Sequence, residues 1–502
     1  MVGTLPEPGG YAIAKFSRSA RPYQEWIQEL TQDGASRFYE QFYFAYGHAS
    51  IADLAHLTMV AENISIVAAI ELLDEPLVDA QESSTRYQDF TRRRFFTPPE
   101  LLESPHLNEY RECCDALFDA YHRIHRALTT RYEQVYAADR PADLADDEYR
   151  RTLRARAFDV ARYLLPSSTY TGLGYLCSAR TLERQVSRFA AHDLDELREI
   201  SLEMKRAATE PAYNPLALQM GPYMEAYAAA HPEIEGDGLL DQIRQATLTG
   251  APAAPTLVRY TEPSAYPRAF CESARLVAAQ VVGDTTPDGS RGVTLSNPVP
   301  PEEELAATVL YRGSEISYRQ ALTLLGSLST QEIQKLAEIA YAGRGPHDSL
   351  VREARVGFQL VFDLCLDNGA FRDLHRHRNC VQIIKDFTPS YGYDTPDDLR
   401  LIEAQPEYQQ LMDRAGALAE RLDELKPGLG QYALPLAYRR RALFKMDAAQ
   451  LGYIVEQRTA PAGHFSYREI AHQMFGEFQR QHPTLARHIR ATEPTTGSFF
   501  DR

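Results

Sequence analysis

Apolar residues return at helical spacing over much of the chain. Between Asp193 and Arg206, the apolar residues Leu194, Leu197 and Met204 recur at this spacing, and acidic residues fill many of the positions between them. Such spacing places the apolar side chains on one face of a helix and the charged side chains on the other. The pattern predicts an amphipathic helix over 193–206.

A second helix is predicted to begin near Ser50. The Ser50 hydroxyl is placed to cap it, Asp53 follows three positions later, and the apolar residues continue through Ile66 and Ile70. A capping residue three positions before an acidic one, followed by an apolar run, is typical of a helix N-terminus. The pattern therefore indicates a helix over much of 50–70.

A third helical run is predicted over Leu350 to Leu366, where the Asn368-Gly369 pair breaks it and a new segment begins at Ala370. Asn-Gly pairs favour turns. Strand signals are weaker along the chain, and Val293-Thr294-Leu295 is the best of them. The chain is accordingly expected to be mainly helical.

Glycine and proline cluster between Gly283 and Pro301, in a polar setting. This is the richest breaker region of the sequence, and it predicts a domain boundary. A second loose stretch, 231–238, indicates that the compact part of the first half ends earlier and that a helical connector follows. With 502 residues and 44% hydrophobic content, the chain is longer than one core needs, so two domains are expected.

Composition narrows the class of protein further. The sequence has no run of about eighteen uncharged apolar residues, and its N-terminus lacks the basic flank and apolar stretch of a signal peptide. A cytoplasmic protein is expected. The six cysteines show no C-x-x-C spacing, so they are interpreted as reduced thiols, and neither a metal site nor a disulfide scaffold is expected.

The formal net charge is −16, which disfavours binding to nucleic acid or to an anionic membrane surface. Any anionic ligand must therefore be held by a local cluster. Three basic clusters exist, at Arg92-Arg93-Arg94, at His375-Arg376-His377-Arg378 and at Arg439-Arg440-Arg441. Each is a candidate pocket for a small phosphorylated ligand, and a solvated helix face is the alternative.

Short internal repeats connect the two halves of the chain. Tyr163-Leu164-Leu165-Pro166 matches Tyr432-Ala433-Leu434-Pro435, 269 residues later, and Arg188 precedes Arg458 by 270 residues. Two matches at nearly the same offset favour a duplicated domain.

These repeats carry motifs that resemble the flavin-dependent thymidylate synthases. That family has an R-H-R-x(7)-S-x-R-Y signature, a preceding G-H pair that opens a helix, a downstream V-A-R-x-x-L-P segment and a final arginine. The first half contains Tyr46-Gly47-His48, Ser84-Thr85-Arg86-Tyr87 and the segment from Val160 to Pro166, and Arg188 falls near the last arginine. The resemblance covers roughly residues 11–206 and 300–478.

The departures from the family pattern are reciprocal. In the first half, Asp74-Glu75-Pro76 stands where R-H-R is expected, and Leu54 replaces a histidine that the family often carries. In the second half, Arg376-His377-Arg378 is intact, but Asp386-Phe387-Thr388-Pro389 stands in the register of S-x-R-Y, and Gln431 replaces the arginine of V-A-R. Each copy keeps what the other has lost.

The resemblance implies an α+β, mainly helical fold with two tandem lobes, each resembling one subunit of the family. The first lobe is expected over 1–230, the helical connector over 231–290 and the second lobe over 291–502. Because the family's active sites lie between chains of a homotetramer, a homodimer of this chain would supply four lobes. One composite site, which combines the motifs that the two copies retain, would survive. The other composite site, which combines Asp74-Glu75-Pro76 with Asp386-Phe387-Thr388-Pro389, would be silent.

The resemblance also assigns roles to residues. Substrate binding is expected from Glu82, Ser84, Arg86, Tyr87, Arg162 and Arg188, cofactor binding from Arg376, His377 and Arg378, and polarisation of the pyrimidine ring from Arg458. Arginine suits a nucleotide phosphate because its planar guanidinium can hold two oxygens. His192 and His464 are expected to be structural hydrogen bonders.

The implied reaction moves a one-carbon unit from methylenetetrahydrofolate to C5 of deoxyuridylate, with reduced FAD as hydride donor and NADPH as reductant. The sequence has no G-x-G-x-x-G or Walker loop, so the flavin would be held without a dinucleotide-fold fingerprint. Two alternatives stay open: a silent flavin-binding or nucleotide-binding pseudoenzyme, and a flavoprotein that modifies another uridine nucleotide at C5.

Overall fold

The computed structural model of the chain describes residues 5–17, 19–28, 30–46, 48–86, 90, 95–211, 215–231, 238, 252–263, 290–296, 300–312, 318–341 and 360–501. The described chain is mainly helical and has small sheets. This confirms the coarse fold class. Gly47, Tyr87, Arg92-Arg93-Arg94 and most of the predicted boundary region 283–301 lie outside the described residues.

The elements follow one another in two stretches. The first stretch contains α1 (Pro6–Phe16), α2 (Tyr23–Gln28), α3 (Gln32–Tyr39), β1 (His56–Ser65), α4 (Ile66–Leu73), β2 (Val78–Glu82), α5 (Leu107–Val135), α6 (Asp146–Ala161), β3 (Tyr170–Ser178), α7 (Ala179–Ala190), α8 (Asp195–Thr209) and α9 (Pro215–Ala230). The second contains β4 (Gly292–Ser296), α10 (Pro301–Arg312), α11 (Tyr318–Leu325), α12 (Thr330–Glu338), β5 (Leu360–Asp367), α13 (Asn368–His375), β6 (Val381–Ile384), α14 (Gln405–Leu425), β7 (Arg439–Met446), α15 (Ala448–Arg458), α16 (Phe465–Gln481) and α17 (Pro483–Ala486).

The predicted helix over 193–206 and the predicted strand at 293–295 are confirmed as α8 and β4. The predicted helix beginning near Ser50 is wrong. A short 3-10 turn over Ala49–Leu54 is followed by strand β1, and a helix begins only at Ile66. The G-H pair therefore does not open a long helix here.

The predicted helical run over 350–366 is wrong where it is described, because β5 occupies Leu360–Asp367. Residues 350–359 lie outside the described part. The Asn368-Gly369 pair does not break a helix but begins one, since α13 starts at Asn368. Alternation explains the error: Leu360, Phe362 and Leu364 are buried, whereas residues 361 and 363 are half-buried.

The chain forms two compact units, each assembled from separate segments. The first comprises Met1–Glu62, Leu77–Glu82 and Gly172–Thr285, and the second comprises Asn63–Pro76, Ser83–Thr171 and Thr286–Arg502. The boundaries of these two units are set by how compactly their segments pack. The predicted division into lobes over 1–230 and 291–502, with a connector over 231–290, follows sequence repeats and stays a prediction.

The first unit contains most of a three-stranded sheet of order β1-β3-β2. A buried carboxylate joins its N-terminal helix to a later loop: Glu7 accepts hydrogen bonds from the backbone N–H groups of Thr256 and Leu257 at 2.7 and 2.6 Å. Gln32 donates to the other oxygen of Glu7 at 2.6 Å. The carboxylate satisfies donors that would otherwise be buried without partners.

The second unit contains a four-stranded antiparallel sheet of order β4-β5-β7-β6. In the central pair of strands, β5 and β7, Leu360 pairs with Met446 at one end and Asp367 pairs with Arg439 at the other. The sheet therefore ends where α13 begins, which fixes the start of that helix.

A pseudo-two-fold arrangement relates two halves of this second unit. Pro166 and Pro435 form an antiparallel bridge. The N–H of Ser167 donates to the carbonyl of Leu434 at 2.9 Å, and the N–H of Leu436 donates to the carbonyl of Leu165 at 2.9 Å. The residues exchange equivalent bonds across a spacing of 269 positions, as they do across a two-fold axis.

Equivalent bonds also fix α4 and α13. The N–H of Ile66 donates to the carbonyl of Thr169, and the N–H of Asn368 donates to the carbonyl of Tyr438, which lies 269 positions after Thr169. Helix α4 is capped by Ser65 and α13 by Asp367, and both helices have eight residues. The two helices are thus corresponding elements of the duplicated halves.

Two sequence-based expectations about composition can be compared with this structure. Cys113, Cys114, Cys177, Cys365 and Cys380 are buried, reduced thiols, as predicted, and Cys271 lies outside the described residues. Within the described residues, every helix is too short or too polar to cross a bilayer.

Candidate functional site

Helix α13 presents the R-H-R motif at its C-terminal end. Its N-terminus is fixed by the fully buried Asp367, which accepts a hydrogen bond from the N–H of Ala370 at 2.8 Å and another from the hydroxyl of Ser466. The helix ends at His375, and Arg376 takes the C-cap position. A cation at a helix C-terminus is favoured by the helix dipole.

Helix α4, which corresponds to α13 in the other half, ends at Leu73, and Asp74 takes its C-cap position. Asp74-Glu75-Pro76 therefore stands where Arg376-His377-Arg378 stands in the other half. Carboxylates at this position cannot donate hydrogen bonds to an anionic ligand.

His377 is buried and connects the R-H-R motif to Arg458. The Nε of Arg458 donates a hydrogen bond to Nε2 of His377 at 2.7 Å. Burial, reinforced by the charge of Arg458, lowers the pKa of His377 to about 3. The imidazole is therefore neutral near pH 7, and its Nε2 carries no proton, which is what the bond from Arg458 requires.

Tyr467 lies between Arg458 and Arg86. Its hydroxyl accepts a hydrogen bond from Nη1 of Arg86 at 3.2 Å. The guanidinium carbon of Arg458 lies 5.5 Å from the centre of the Tyr467 ring, and that of Arg86 lies 5.8 Å from it. Both distances are within the range of cation–π attraction.

The side chains of Arg86, Tyr467, Arg458 and His377 thus form one connected chain, called here the arginine chain. Arg86 comes from the first copy of the motifs, and the other three come from the second. The structure brings together the arginine of S-x-R-Y, the histidine of R-H-R and the final arginine.

Arg86 is held by a buried acid. Its Nε donates to Oδ1 of Asp159 at 2.7 Å, and its Nη2 donates to Oδ2 at 3.2 Å and to the carbonyl of Ala462 at 3.3 Å. Burial lowers the pKa of Arg86, but the charge and hydrogen bonds of Asp159 outweigh burial and raise it overall. The Ser84 hydroxyl accepts from the N–H of Arg86 at 3.2 Å.

Arg162 is the other arginine of the first copy in this region. Its side chain is 2% exposed, and its Nη1 lies 3.4 Å from Oδ2 of Asp373 on α13. A Cβ on Gly369 would lie 3.2 Å from Nη2 of Arg162, so the lack of a side chain there makes room for the guanidinium. Within the described residues, Nε and Nη2 of Arg162 have no hydrogen-bond partner.

His464 supports the same region through backbone contacts. It is fully buried, and its Nε2 donates to the carbonyl of Asp159 at 2.9 Å, while its Nδ1 accepts from the N–H of Ser466 at 3.2 Å. Burial, followed by the charge of Arg162, lowers its pKa well below the usual range. This confirms the prediction that His464 is a structural hydrogen bonder.

Five further residues were predicted to belong to the site: Glu82, Tyr87, Arg188, Arg376 and Arg378. Arg376 and Arg378 flank His377 and are half-buried. Glu82, the buried last residue of β2, and Arg188, in the last turn of α7, belong to the first compact unit. Tyr87 lies outside the described residues.

The predicted pairing of Arg188 with Arg458 is wrong by one residue. Ser178 caps α7 and Asp447 caps α15, and these caps lie 269 positions apart. At that spacing the counterpart of Arg458 is Phe189. The guanidinium of Arg188 lies 4.8 Å from the Phe189 ring.

The counterpart of the arginine chain across the pseudo-two-fold has a different character. Arg440 is 5% exposed, and its guanidinium lies between the rings of Phe371 and Phe387, at 4.9 and 4.8 Å. Burial lowers the pKa of Arg440 to about 10, and the carboxylates of Glu71, Asp386 and Asp74 offset only part of that effect. Acids and one buried cation thus replace a cluster of cations.

A cavity of about 550 Å³ is lined in part by Tyr163 and Phe465, the residues that follow Arg162 and His464. Its two arginines are each paired with an acid of the same cavity. Asp394 lies 2.8 Å from Arg291 and 2.6 Å from Arg439. These pairs leave the cavity less suited to an anion than the arginine chain.

Sequence patterns did not identify Asp159, Asp373 or Tyr467. Asp159 contacts Arg86 across 73 positions, and Tyr467 contacts it across 381. A partial signal existed for Asp159, because this acidic residue directly precedes the segment from Val160 to Pro166 that contains Arg162. No spacing rule connects Tyr467 to the motifs.

Comparison with known proteins gives two kinds of match. The profile of the family described as thymidylate synthase complementing protein matches residues 7–212 and 302–484. The two segments correspond to the two copies of the motifs.

Two relatives cover most of the chain, and a third covers about a third of it. A UPF0159 protein of Chlamydia muridarum is 26% identical over 91% of this chain and 80% of its own length. A UPF0159 protein of Thermoplasma acidophilum is 25% identical over 98% of this chain and 96% of its own length. A flavin-dependent thymidylate synthase of Clostridium tetani is 22% identical over 35% of this chain and 67% of its own length.

Proposed function

We propose, because this chain belongs to the thymidylate synthase complementing protein family, that it is a flavin-dependent thymidylate synthase-like enzyme that methylates deoxyuridylate at C5. Methylenetetrahydrofolate would donate the carbon, reduced FAD the hydride, and NADPH would reduce the flavin. One observation carries the proposal: the arginine chain unites motif residues that each copy retains separately.

The residues suit an anionic cofactor and an anionic substrate. Arg376 and Arg378 flank the neutral His377 and supply cations at the end of α13, where a pyrophosphate would be stabilised. Arg162 has Nε and Nη2 buried without partners among the described residues. A buried guanidinium edge of this kind favours a carboxylate, phosphate or carbonyl oxygen as its partner.

Arg458 is positioned to act on the pyrimidine. Its Nε is committed to His377, and within the described residues neither Nη atom donates a hydrogen bond. The two Nη groups are therefore the donors left for a carbonyl oxygen of the ring, and they would stabilise negative charge that develops there. The flavin supplies the hydride chemistry when bound, and the chain supplies position and charge.

The test begins with the purified full chain. We expect it to hold FAD, to change its flavin absorbance when deoxyuridylate is added, and to form thymidylate when methylenetetrahydrofolate and NADPH are supplied. Arg376→Ala should abolish flavin retention, and Arg458→Lys should keep flavin but lower the turnover number at least tenfold. Arg441→Ala is a matched control, because Arg441 pairs with Asp363 outside the arginine chain.

Two outcomes would overturn the proposal. A protein that neither retains nor takes up FAD has no flavin site. A protein that binds FAD and deoxyuridylate but forms no thymidylate is a pseudoenzyme instead. The commitment of Arg86 to Asp159 favours this second candidate, since it withdraws an arginine from phosphate binding.

A further inference from the structure

Helix α15 ends at Arg458, and its last turn is tied to a later part of the chain, residues 490–501, called here the bracing segment. Thr459, the fully buried C-cap residue, accepts a hydrogen bond on its hydroxyl from the N–H of Thr492 at 3.0 Å. Glu456 accepts another, at 3.1 Å, from the N–H of the first residue of the segment. Two backbone donors of the bracing segment therefore hold the turn that carries Arg458.

Arg468, near the start of α16, ties the same turn to the same segment. It is 8% exposed, its Nε donates to the carbonyl of Thr459 at 3.2 Å, and its Nη2 donates to the carbonyls of Glu493 and Thr496 at 3.3 and 3.0 Å. The last carbonyls of a helix have no partner inside the helix, and an arginine side chain can supply one. The planar guanidinium reaches acceptors on both sides at once, which suits arginine better than lysine.

The far end of the bracing segment is anchored on α5 and α6. The ring of Phe499 stacks on that of Tyr136 with 3.9 Å between their centres, and it meets the ring of Tyr132 edge-on at 5.1 Å. The Nε of Arg156 donates to the carbonyl of Phe499 at 2.9 Å. Aromatic pairs of this kind are attractive beyond the area they bury. The bracing segment is thus fixed at both of its ends.

The first copy of the motifs has neither tie. His192 and His464 each accept on Nδ1 from the N–H two residues later, which aligns α8 with α16 at a spacing of 272 positions. At that spacing the counterpart of Arg468 is Glu196. The place of the threonine that caps α15 is taken by Ala190, 269 positions earlier, which has no hydroxyl. Both ties therefore occur only in the copy that keeps the final arginine of the motifs.

We infer that Arg468 is a positioning residue for Arg458. Together with the bracing segment it fixes the last turn of α15, and the Arg458 guanidinium is thereby held in its hydrogen bond with Nε2 of His377. Arg468 acts through Arg458 and not on a ligand. The inference rests on the proposed function only for the ligand that Arg458 meets, a uridine nucleotide, and the positioning itself can be measured without that ligand.

The ring nitrogen signal of His377 tests the positioning directly. In the full chain at pH 7.5, with nitrogen-15 in its histidine rings, the Nε2 signal in the magnetic resonance spectrum is identified by its loss in His377→Asn. Arg458→Met removes the donor and gives the position of the signal without the hydrogen bond. We expect Arg468→Gln to move the signal at least half of the way to that position.

Arg480→Gln is a matched control on the same helix, because Arg480 is exposed and pairs with Glu477. It should leave the His377 signal in place. An unchanged signal in a folded Arg468→Gln chain would overturn the inference and leave Arg468 with a role in stability alone.

Thr459 and Phe499 provide variants for the case in which Arg468→Gln does not fold. Thr459→Val removes the hydroxyl that accepts from the bracing segment, whereas Thr459→Ser keeps it, so only Thr459→Val should move the His377 signal. Phe499→Ala removes the far anchor and leaves α15 and α16 intact, and it should move the signal in the same direction. Equal signals in the two Thr459 variants, or the parent signal in Phe499→Ala, would overturn the inference.

Turnover separates this inference from the proposed function. In Arg468→Gln the turnover number for thymidylate should fall at least fivefold, while the dissociation constant for FAD stays within threefold of the parent value. If the parent chain binds neither FAD nor deoxyuridylate but the His377 signal moves in Arg468→Gln, the positioning stands and the proposed function fails. If Arg468→Gln forms thymidylate at the parent rate with an unchanged signal, the proposed function stands and the inference is overturned.

Discussion

At the scale of single residues, the contact between Arg458 and His377 constrains both side chains. A protonated imidazole could not accept the Nε–H of Arg458, so the 2.7 Å hydrogen bond exists only with neutral His377. Burial and the neighbouring cation keep it neutral, as its pKa of about 3 indicates. Arg458 is thereby held by an uncharged acceptor and keeps its full positive charge for a ligand.

This constraint predicts an acid-dependent loss of stability. Unfolded histidine has a pKa near 6.5, and folded His377 has a lower one, so the unfolded state binds more protons between these values. Stability is fully present above pH 6.5 and falls as the pH drops below it, by about 1.4 kcal/mol per pH unit for this histidine. Urea unfolding of the parent chain and of His377→Asn, at several pH values from 7.5 to 4.5, measures the difference. Parallel stability curves for the two proteins would contradict the prediction.

Tyr467→Phe should destabilise the chain by about 1–3 kcal/mol, because it leaves a buried Arg86 N–H without its acceptor. Tyr453→Phe is a matched control: Tyr453 packs edge-on against His377 but is 57% exposed. We expect a change of less than about 0.5 kcal/mol there. Equal losses in urea unfolding for the two variants would show that the Tyr467 hydroxyl is not needed.

Sequence patterns identified the arginines of the motifs but not the residues that form hydrogen bonds with them. Arg86 and His377 stood out because they match a pattern of local spacing. Asp159 and Tyr467 belong to no such pattern, and their contacts with Arg86 depend on chain folding over long separations. Whether the N–H groups of an arginine have hydrogen-bond partners depends on its neighbours in the fold, so the motif alone could not distinguish Arg86 from Arg162.

At the scale of elements, the clearest errors concern strands that were predicted as helices. The apolar residues of β1 and β5 are spaced closely enough to fit a helical stripe, and short apolar runs are ambiguous between the two structures. Pairing decides the outcome: β5 forms ladders with both β4 and β7, and these partners lie far away in sequence. The amphipathic helix α8 was predicted correctly because its periodicity extends over several turns.

The helix caps offer a test of how α13 positions the R-H-R motif. Ser65→Ala should cost about 1 kcal/mol through loss of the cap of α4, with FAD binding unchanged. Asp367→Ala should cost more, since Asp367 also accepts from Ser466, and it should weaken FAD binding at least fivefold because α13 carries the motif. Urea unfolding and FAD titration of both variants provide the measurements. A similar loss of FAD affinity in Ser65→Ala and Asp367→Ala would contradict a specific role for α13.

At the scale of the whole molecule, the exchange of hydrogen bonds around Pro166 and Pro435 creates two corresponding places in the second compact unit. Charge distinguishes them. One holds the arginine chain, and the other holds Asp74, Asp386 and the buried Arg440 between two phenylalanine rings. In a chain of net charge −16, we therefore expect the anionic cofactor of the proposed function at the first place, where cations are concentrated.

This asymmetry predicts one FAD per chain, not two. The guanidinium of Arg440 lies against two aromatic rings, and the nearby carboxylates of Glu71, Asp74 and Asp386 would repel a pyrophosphate. Flavin absorbance relative to protein concentration should give a ratio near one, and Arg440→Met should not change it. Arg376→Ala should abolish binding completely, because no second site remains to hold half of the flavin. Two FAD per chain, or half-occupancy in Arg376→Ala, would mean that the acidic half has kept a working site and that the duplication preserved both.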